Sequence, residues 1–207
     1  MEDNIIYLTF DDGPSKYTCE FLDILKKYHI KATFFITGND YNDEIIKRIY
    51  NEGHTIGLHS YSHKYDEIYK SEEAFFKDID KIRNKVFKTV GISPNLIRFP
   101  GGSSNTVSKF NNGIMTRLTD LITSKGYFYV DWNVDSNDIG KIDSSEIFKN
   151  VISSLEEKKT YIVLMHDIVF ESVDALEKII KHGLENGYKF DKIDVVTTKL
   201  IHHRIFN

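Results

Sequence analysis

Two histidines stand four residues apart in the segment HSYSH, which contains His59 and His63. If this segment turns helically, both imidazole rings lie on one side and can bind one cation. Asp12 could add an oxygen ligand, and two histidines with one carboxylate leave positions open for water, as in catalytic zinc sites. Because the bare spacing is also common among surface histidines, the interpretation depends on the other residues of the site.

Asp11 and Asp12 end an apolar segment within TFDDGP. Consecutive residues of a strand point to opposite faces, so we expect the two carboxylates to have different neighbours and different roles. Read alone, the hexamer is also typical of a turn followed by a helix-capping acid.

Arg98 and Gly101 belong to the segment RFPGG, which follows another apolar stretch. A guanidinium group at this place could bind a carboxylate bidentately. A free backbone amide at Gly101 could donate to an anionic oxygen. The alternative is a salt bridge beside an ordinary turn.

Two further segments carry polar residues after apolar stretches. DWNVDSND ends at Asp138 and is more acidic than a turn requires, although such clusters are usually turns. Leu164 and His166 lie in LMHD, where a single histidine is more often a packed residue than an acid catalyst. Neither segment defines a function without the others.

The elements that must position these residues alternate between strand-like and helix-like patterns along the whole chain. The predicted strands are Ile5–Phe10, Ala32–Thr37, His54–His59, Asn95–Phe99, Tyr127–Val134, Tyr161–His166 and Lys189–Val196. Amphipathic stripes between them predict six helices, with stop signals such as Gly91 and a start signal at Asp143. This alternation predicts a mainly parallel sheet covered by helices.

The polar residues favour a closed sheet over an open one. They follow five different strands, and strands lie about 4.8 Å apart, so an open sheet would spread them along a wide edge. In a barrel the same residues face one end, where such folds carry their sites. We therefore predict an α/β fold, a distorted (β/α) barrel with about seven parallel strands.

Composition limits the classes of function. A chain of 207 residues predicts one domain over 1–207, and a net charge of −4 argues against nucleic acid as a partner. Its apolar runs are far shorter than the roughly 20 residues of a membrane helix. Residues 1–4 lack a basic secretion start, so no signal peptide or anchor is visible.

The segments TFDDGP, HSYSH, RFPGG, VDSND and LMH, taken together and in this order, resemble the polysaccharide deacetylases, the NodB-homology family of metal-dependent carbohydrate esterases. The resemblance extends from Thr9 to His166, nearly the whole of a catalytic domain. It implies a distorted barrel of about seven strands, in agreement with the pattern above.

By this resemblance Asp12, His59 and His63 hold a divalent metal ion. Zinc suits two histidines and one aspartate, while Co²⁺, Ni²⁺ or Fe²⁺ can take the same geometry. Asp11 is implied to be the general base, and Arg98 to orient it.

The resemblance also implies that His166 is the general acid, tuned by Asp138, that Leu164 bounds the pocket for the acetyl methyl group, and that the Gly101 amide helps to hold the oxyanion. The family usually has Trp after the last aspartate of its fourth motif, and this chain has Ile139 there. We count Ile139 among the substrate-binding residues and expect a smaller contact surface at this wall of the groove.

The implied activity is N-deacetylation of N-acetylhexosamine units in a polysaccharide or oligosaccharide, either peptidoglycan or a chitin-type polymer. Two alternatives stay open: an O-acetyl esterase on acetylated xylan, and a sugar-binding relative with weak or no catalysis. We expect a monomer that works outside the cell or at its surface. Whether the chain is an excised domain of a longer secreted protein stays open as well.

Overall fold

The computed structural model describes residues 4–39, 43–156 and 159–207. Within these ranges the strands are Ile5–Asp11 (β1), Thr33–Ile36 (β2), Thr55–Leu58 (β3), Leu96–Ile97 (β4), Phe128–Tyr129 (β5), Val134–Asp135 (β6), Thr160–His166 (β7) and Lys189–Asp191 (β8). The helices are Thr18–Lys27 (α1), Asp43–Asn51 (α2), Tyr65–Ile68 (α3), Glu72–Val90 (α4), Ile114–Ser124 (α5), Ser144–Ile152 (α6) and Glu171–Glu185 (α7), with a 3₁₀ turn at Asp138–Gly140.

All strand pairs are parallel, and seven strands follow one another in the order β5-β4-β3-β2-β1-β7-β6. The eighth, β8, pairs with the first half of β1. The two edges of this order, β5 and β6, are joined by residues 130–133 alone, so the chain itself crosses the gap between them. The prediction of a distorted parallel (β/α) barrel with about seven strands is confirmed.

The predicted strand Tyr127–Val134 is wrong as one continuous strand, because it is interrupted between β5 and β6. Arg98 is the physical reason. Its Nε donates to the carbonyl of Val130 at 3.2 Å and its Nη2 to that of Asp131 at 3.2 Å. These carbonyls therefore accept hydrogen bonds from a buried cation and not from the amides of a neighbouring strand.

Two apolar cores lie on opposite faces of the sheet. Along β1, Ile6 and Leu8 pack outward against the helices, while Tyr7 packs inside the barrel. Strand alternation then points Thr9 and Asp11 to the inside as well, where both contact Arg98. The carboxyl end of the barrel interior is therefore polar, although its lower part is a hydrophobic core.

Local signals define the helix ends. Gly91 ends α4 with φ of 77°, a conformation that glycine adopts without steric cost. The carboxylate of Asp143 accepts hydrogen bonds from the amides of Ser145 and Glu146 and caps α6, as predicted. Across the described ranges, the helices are too short or too polar to span a membrane.

Candidate active site

Asp12, His59 and His63 form a compact cluster at the carboxyl end of the barrel. Asp12 Oδ1 lies 3.4 Å from His59 Nε2 and 3.2 Å from His63 Nε2. One possible ligand atom from each residue lies within 4.8 Å of the others. Three such donors around one point can bind a single divalent cation.

The protonation pattern of this cluster suits a metal ion. His59 Nδ1 lies 2.9 Å from the carbonyl of Arg98 and donates to it, which leaves the Nε2 lone pair facing Asp12. Burial lowers the pKa of His59 to about 3, so the ring is neutral. Asp12 Oδ1 is buried and, among the described residues, accepts no hydrogen bond. An unpaired carboxylate oxygen between two imidazole nitrogens is the environment that a cation satisfies.

The segment with both histidines is not helical, so the helical turn considered for the sequence is not what brings the two rings together. Ser60 and His63 have φ of 81° and 53°, and the chain folds as an irregular loop. Asp78 of α4 holds this loop: its Oδ1 accepts from Ser60 Oγ and from the Tyr61 amide, both at 2.6 Å. The rings converge because a buried carboxylate organises the loop backbone.

Sequence reasoning missed Asp78, although a signal was present. Asp78 lies three residues after Phe75 and four before Ile82, on the apolar stripe of α4. An acidic residue on a buried stripe needs hydrogen-bond donors, and the amides of the histidine loop supply them.

Asp11 and Arg98 form a buried ion pair beside the cluster. Asp11 Oδ1 lies 2.9 Å from Arg98 Nη1, and Asp11 Oδ2 lies 3.7 Å from His59 Nε2. The sequence suggested a bidentate contact between Arg98 and a carboxylate. Arg98 instead binds Asp11 through Nη1 alone, because its Nε and Nη2 donate to backbone carbonyls. Burial raises the pKa of Asp11, and the Arg98 guanidinium opposes this rise.

His166 and Asp138 form a second buried pair at the same end of the barrel, where His166 on β7 is the in-register neighbour of Asp11 on β1. His166 Nδ1 lies 2.7 Å from Asp138 Oδ1, while Asp138 Oδ2 accepts from the His166 amide at 2.7 Å and from Ser172 Oγ at 2.6 Å. Burial lowers the pKa of His166, but the hydrogen bond and charge of Asp138 outweigh it and raise the pKa to about 9. His166 is therefore an imidazolium at neutral pH.

One cavity of about 240 Å³ joins these groups. Every site residue predicted from the sequence lines it except Arg98 and Asp138, which lie behind Asp11 and His166. Leu164 contributes an apolar wall, and Ile139 is 63% exposed at the rim. Among the described residues, no acceptor is found for the Gly101 amide, which leaves this donor available to a ligand.

Trp132 also lines the cavity, and sequence reasoning left its direction open. Its Nε1 donates to Asp135 Oδ2 at 3.2 Å, and its ring packs edge-on against His203 with centroids 4.8 Å apart. A Cβ at Gly102 would lie 2.8 Å from the indole, so glycine at this position makes room for the ring. The cavity thus has an aromatic wall that comes from upstream of Ile139.

Asp167 is a further residue that the sequence left without a role. Its carboxyl group is buried, accepts from Thr18 Oγ1 at 2.6 Å and packs against Gly13, where a Cβ would lie 2.2 Å from its Oδ2. It therefore supports the turn that follows Asp12. Its position directly after His166 was the available signal.

A parallel barrel that presents a His₂Asp cluster, a buried carboxylate and a buried histidine–aspartate pair in one cavity has the features of a hydrolase. Comparison with known proteins identifies the class: the sequence model of the polysaccharide deacetylase family matches residues 1–112. The chain belongs to this family, as the five motifs predicted.

The similarity to individual relatives extends over nearly the whole chain. A peptidoglycan-N-acetylglucosamine deacetylase of Bacillus cereus is 35% identical over 198 residues, 92% of this chain and 69% of that protein. A peptidoglycan-N-acetylmuramic acid deacetylase of Bacillus subtilis is 32% identical over 197 residues, 93% of this chain and 71% of that protein. The crystal structure of the catalytic domain of a Eubacterium rectale peptidoglycan N-acetylglucosamine deacetylase superimposes with a TM-score of 0.95 at 46% identity, covering 99% of this chain and 94% of that one. The chain is therefore an enzyme of the deacetylase class, and this prediction is confirmed.

Proposed function

We propose that this chain is a metal-dependent N-deacetylase that releases acetate from N-acetylglucosamine units of peptidoglycan. The observation that carries the proposal is that Asp12, His59 and His63 line one cavity together with Asp11 and His166. The relatives reported above support peptidoglycan as the substrate, because the two Bacillus proteins and the Eubacterium rectale structure are all named as peptidoglycan deacetylases.

Asp12, His59 and His63 would hold the metal, and zinc is the ion that this donor set suits best, with Co²⁺, Ni²⁺ and Fe²⁺ as alternatives. When bound, the ion would polarise the acetyl carbonyl and acidify a water molecule. The neutral His59 ring, oriented by the Arg98 carbonyl, supports this assignment.

Asp11 is assigned as the general base that takes a proton from the attacking water. Because burial raises its pKa, this carboxylate is more basic than one exposed to solvent. Arg98 is a positioning residue in this mechanism: it keeps Asp11 directed at the cavity and compensates its charge.

His166 is assigned as the general acid that protonates the departing amine nitrogen. An amine is a poor leaving group without that proton, and a pKa raised to about 9 keeps His166 charged until the nitrogen needs it. Asp138 fixes the ring by its contact with Nδ1, which leaves Nε2 as the nitrogen able to donate.

Three residues are assigned to the acetylated sugar. The Gly101 amide donates to the acetyl oxygen as negative charge develops there, and Leu164 bounds the space for the methyl group. Ile139 contacts the sugar at the rim, beside the aromatic wall of Trp132.

The proposal includes one catalytic domain over 1–207, a monomer, and a location outside the cell or at its surface. The single sheet that contacts both apolar cores and the match to a catalytic domain along 99% of the chain support the domain assignment. Esterase activity on acetylated xylan is not favoured, because the relatives reported above are named for peptidoglycan.

An acetate-release assay with defined metal content tests the proposal. Metal-free protein is loaded with Zn²⁺, Co²⁺, Ni²⁺ or Fe²⁺ and incubated with peptidoglycan, chitooligosaccharides and acetylated xylan. We expect metal-dependent acetate from peptidoglycan. Acetate from xylan alone, or equal activity with and without metal, would refute the proposal.

A further inference from the structure

Residues 201–203 run beside the segment that joins β5 to β6, the two edges of the sheet. The Asp131 amide donates to the Ile201 carbonyl at 2.8 Å, and His202 Nε2 lies 2.9 Å from the Tyr129 carbonyl. The His202 ring also stacks on that of Tyr129, with centroids 4.0 Å apart and planes at 16°. Residues 201–203 therefore cover this connection, although they lie far from it in the sequence.

The Asp131 carboxylate lies between residues 201–203 and the turn that contains Gly101. Asp131 is fully buried. Its Oδ1 accepts from the Ser103 amide at 2.8 Å, and its Oδ2 accepts from Ser103 Oγ at 2.5 Å and from the His203 amide at 2.8 Å. A Cβ at Gly102 would lie 3.4 Å from Asp131 Oδ1, so the turn packs directly on this carboxylate. The donors that a buried charge requires thus come from two segments that are distant in the sequence.

The His203 ring makes a second connection between the same segments. Its Nε2 lies 2.6 Å from the Trp132 carbonyl and donates to it, because a carbonyl oxygen can only accept. This leaves Nδ1, which lies 3.2 Å from Ser104 Oγ, to contact that hydroxyl. The ring also packs edge-on against the indole of Trp132. His203 therefore links the Gly101 turn to the aromatic wall of the cavity.

The Gly101 turn needs a restraint from outside. Gly101 and Gly102 have φ of 77° and 80°, a region that glycine reaches without steric cost, and glycine has the greatest backbone freedom to lose. The Gly101 amide is assigned above to the acetyl oxygen. Such a donor is effective only when it is held where negative charge develops. The contacts of Asp131 with the adjacent residues can supply this restraint.

We propose that Asp131 is a positioning residue of the deacetylase site: it fixes the turn that carries the Gly101 amide, and His203 completes the restraint. This inference rests on the proposed function, because it concerns the amide that is assigned there to the oxyanion. Its physical support is the one buried carboxylate that accepts from both the Ser103 amide and the His203 amide. Among the described residues that line the cavity, neither Asp131 nor His203 is present, so both act through the turn.

Asp131→Asn tests the restraint in the zinc-loaded protein. Asparagine replaces one acceptor oxygen by an NH₂ donor, so either the Ser103 amide or the His203 amide loses its acceptor. The Asp131 carbonyl, which accepts from Arg98, stays in place. We expect kcat for acetate release from soluble peptidoglycan fragments to fall roughly 10-fold while KM stays within about 2-fold, because an oxyanion donor acts mainly in the transition state.

Three further variants complete the set. His203→Ala disturbs the same turn at a side chain that is 27% exposed, and it should lower kcat about 3-fold. His203→Gln can again donate to the Trp132 carbonyl and accept from Ser104, so it should restore most of this loss. Asn133→Ala is the matched control: its side chain hydrogen-bonds to β7 and not, among the described residues, to the Gly101 turn. It should leave kcat unchanged.

The separation of kcat from KM decides the role. An unchanged kcat in folded Asp131→Asn would overturn the proposal, and so would a rise in KM alone, which would assign the turn to ground-state binding. An equal loss of kcat in Asn133→Ala would overturn it as well, because it would show a general loosening of residues 130–133. The Zn²⁺ affinity of Asp131→Asn should match that of wild type; a weaker affinity would overturn the proposal by placing the effect at the metal ligands.

Backbone NMR of the metal-free protein separates this inference from the proposed function. In Asp131→Asn the Ser103 amide should exchange with solvent faster, and the order parameter of the Gly101 amide should fall from about 0.85 toward about 0.6. If the wild-type protein released no acetate from any glycan, the proposed function would fail, and these two measurements would still decide whether Asp131 holds the turn. Unchanged exchange and order in the folded variant would overturn the inference, while an active wild type would leave the proposed function in place.

Discussion

Replacing Asp138 by Asn tests the structural account of His166 most directly. The change keeps the size of the side chain but removes the negative charge beside Nδ1. The two carboxylate oxygens of Asp138 now accept hydrogen bonds from the His166 ring, the His166 amide and Ser172. Asparagine replaces one of these oxygens by an NH₂ group, which is itself a donor. One donor must then face another donor in a buried site.

The size of the effect follows from the pKa of His166. Asp138 raises this pKa to about 9 against the opposing effect of burial, so without the charge it should fall to about 6.5 or below. A change of about 2.5 pKa units corresponds to roughly 3 kcal/mol of lost interaction. At pH 7 the protonated fraction should fall from about 99% to at most about a quarter.

The stability effect has a defined sign. Because the folded pKa lies above the unfolded value of about 6.5, the pair stabilises the fold fully below pH 6.5, and this stabilisation is lost as the pH rises through about 9. The wild-type melting temperature should therefore fall between pH 6 and pH 10 by more than that of Asp138→Asn.

NMR titration of the His166 ring in metal-free protein measures the pKa itself, and kcat against pH reports the general acid in the zinc-loaded enzyme. Asp120→Asn, an exposed change on α5, is the matched control and should leave both profiles unchanged. A His166 pKa within about one unit of wild type in folded Asp138→Asn would show that the charge of Asp138 does not set this pKa.

Three further outcomes are expected. His63→Ala should lose bound metal and activity together, while the melting temperature changes little because the apolar cores supply most of the stability. Full metal occupancy of this variant by elemental analysis would contradict the assignment of His63 as a ligand. Asp78→Asn should weaken Zn²⁺ binding by roughly 10- to 100-fold in calorimetric titration, because the NH₂ group of the new side chain would face the donors of the histidine loop. Asp120→Asn is the control, and equal Zn²⁺ affinities of the two variants would argue against a positioning role for Asp78. Ile139→Trp should lower KM for oligosaccharides more than it changes kcat, because the Ile139 side chain is 63% exposed at the rim and a larger ring there needs no repacking. An unchanged KM with a lower melting temperature would show that residue 139 packs in the barrel wall instead.

The sequence alone was sufficient for the parallel barrel and for the helix ends at Gly91 and Asp143. Strand alternation follows from backbone geometry, so Asp11 at the end of β1 had to share the inner face with Tyr7. Caps such as Asp143 and Gly91 act on backbone within a few residues, and they lie where the pattern placed them. These features depend on neighbours in the sequence, which is why a pattern could predict them.

Contacts between distant residues decided the rest. Arg98 interrupts the predicted strand over 127–134 by taking the carbonyls of Val130 and Asp131, 32 and 33 residues away, and Asp78 shapes the histidine loop from the next long helix. The ring of Trp132 lines the cavity because Gly102 leaves space for it. No local pattern encodes which buried donor meets which acceptor. That pairing is set only when the barrel closes and every buried polar group must find a partner in the space that remains.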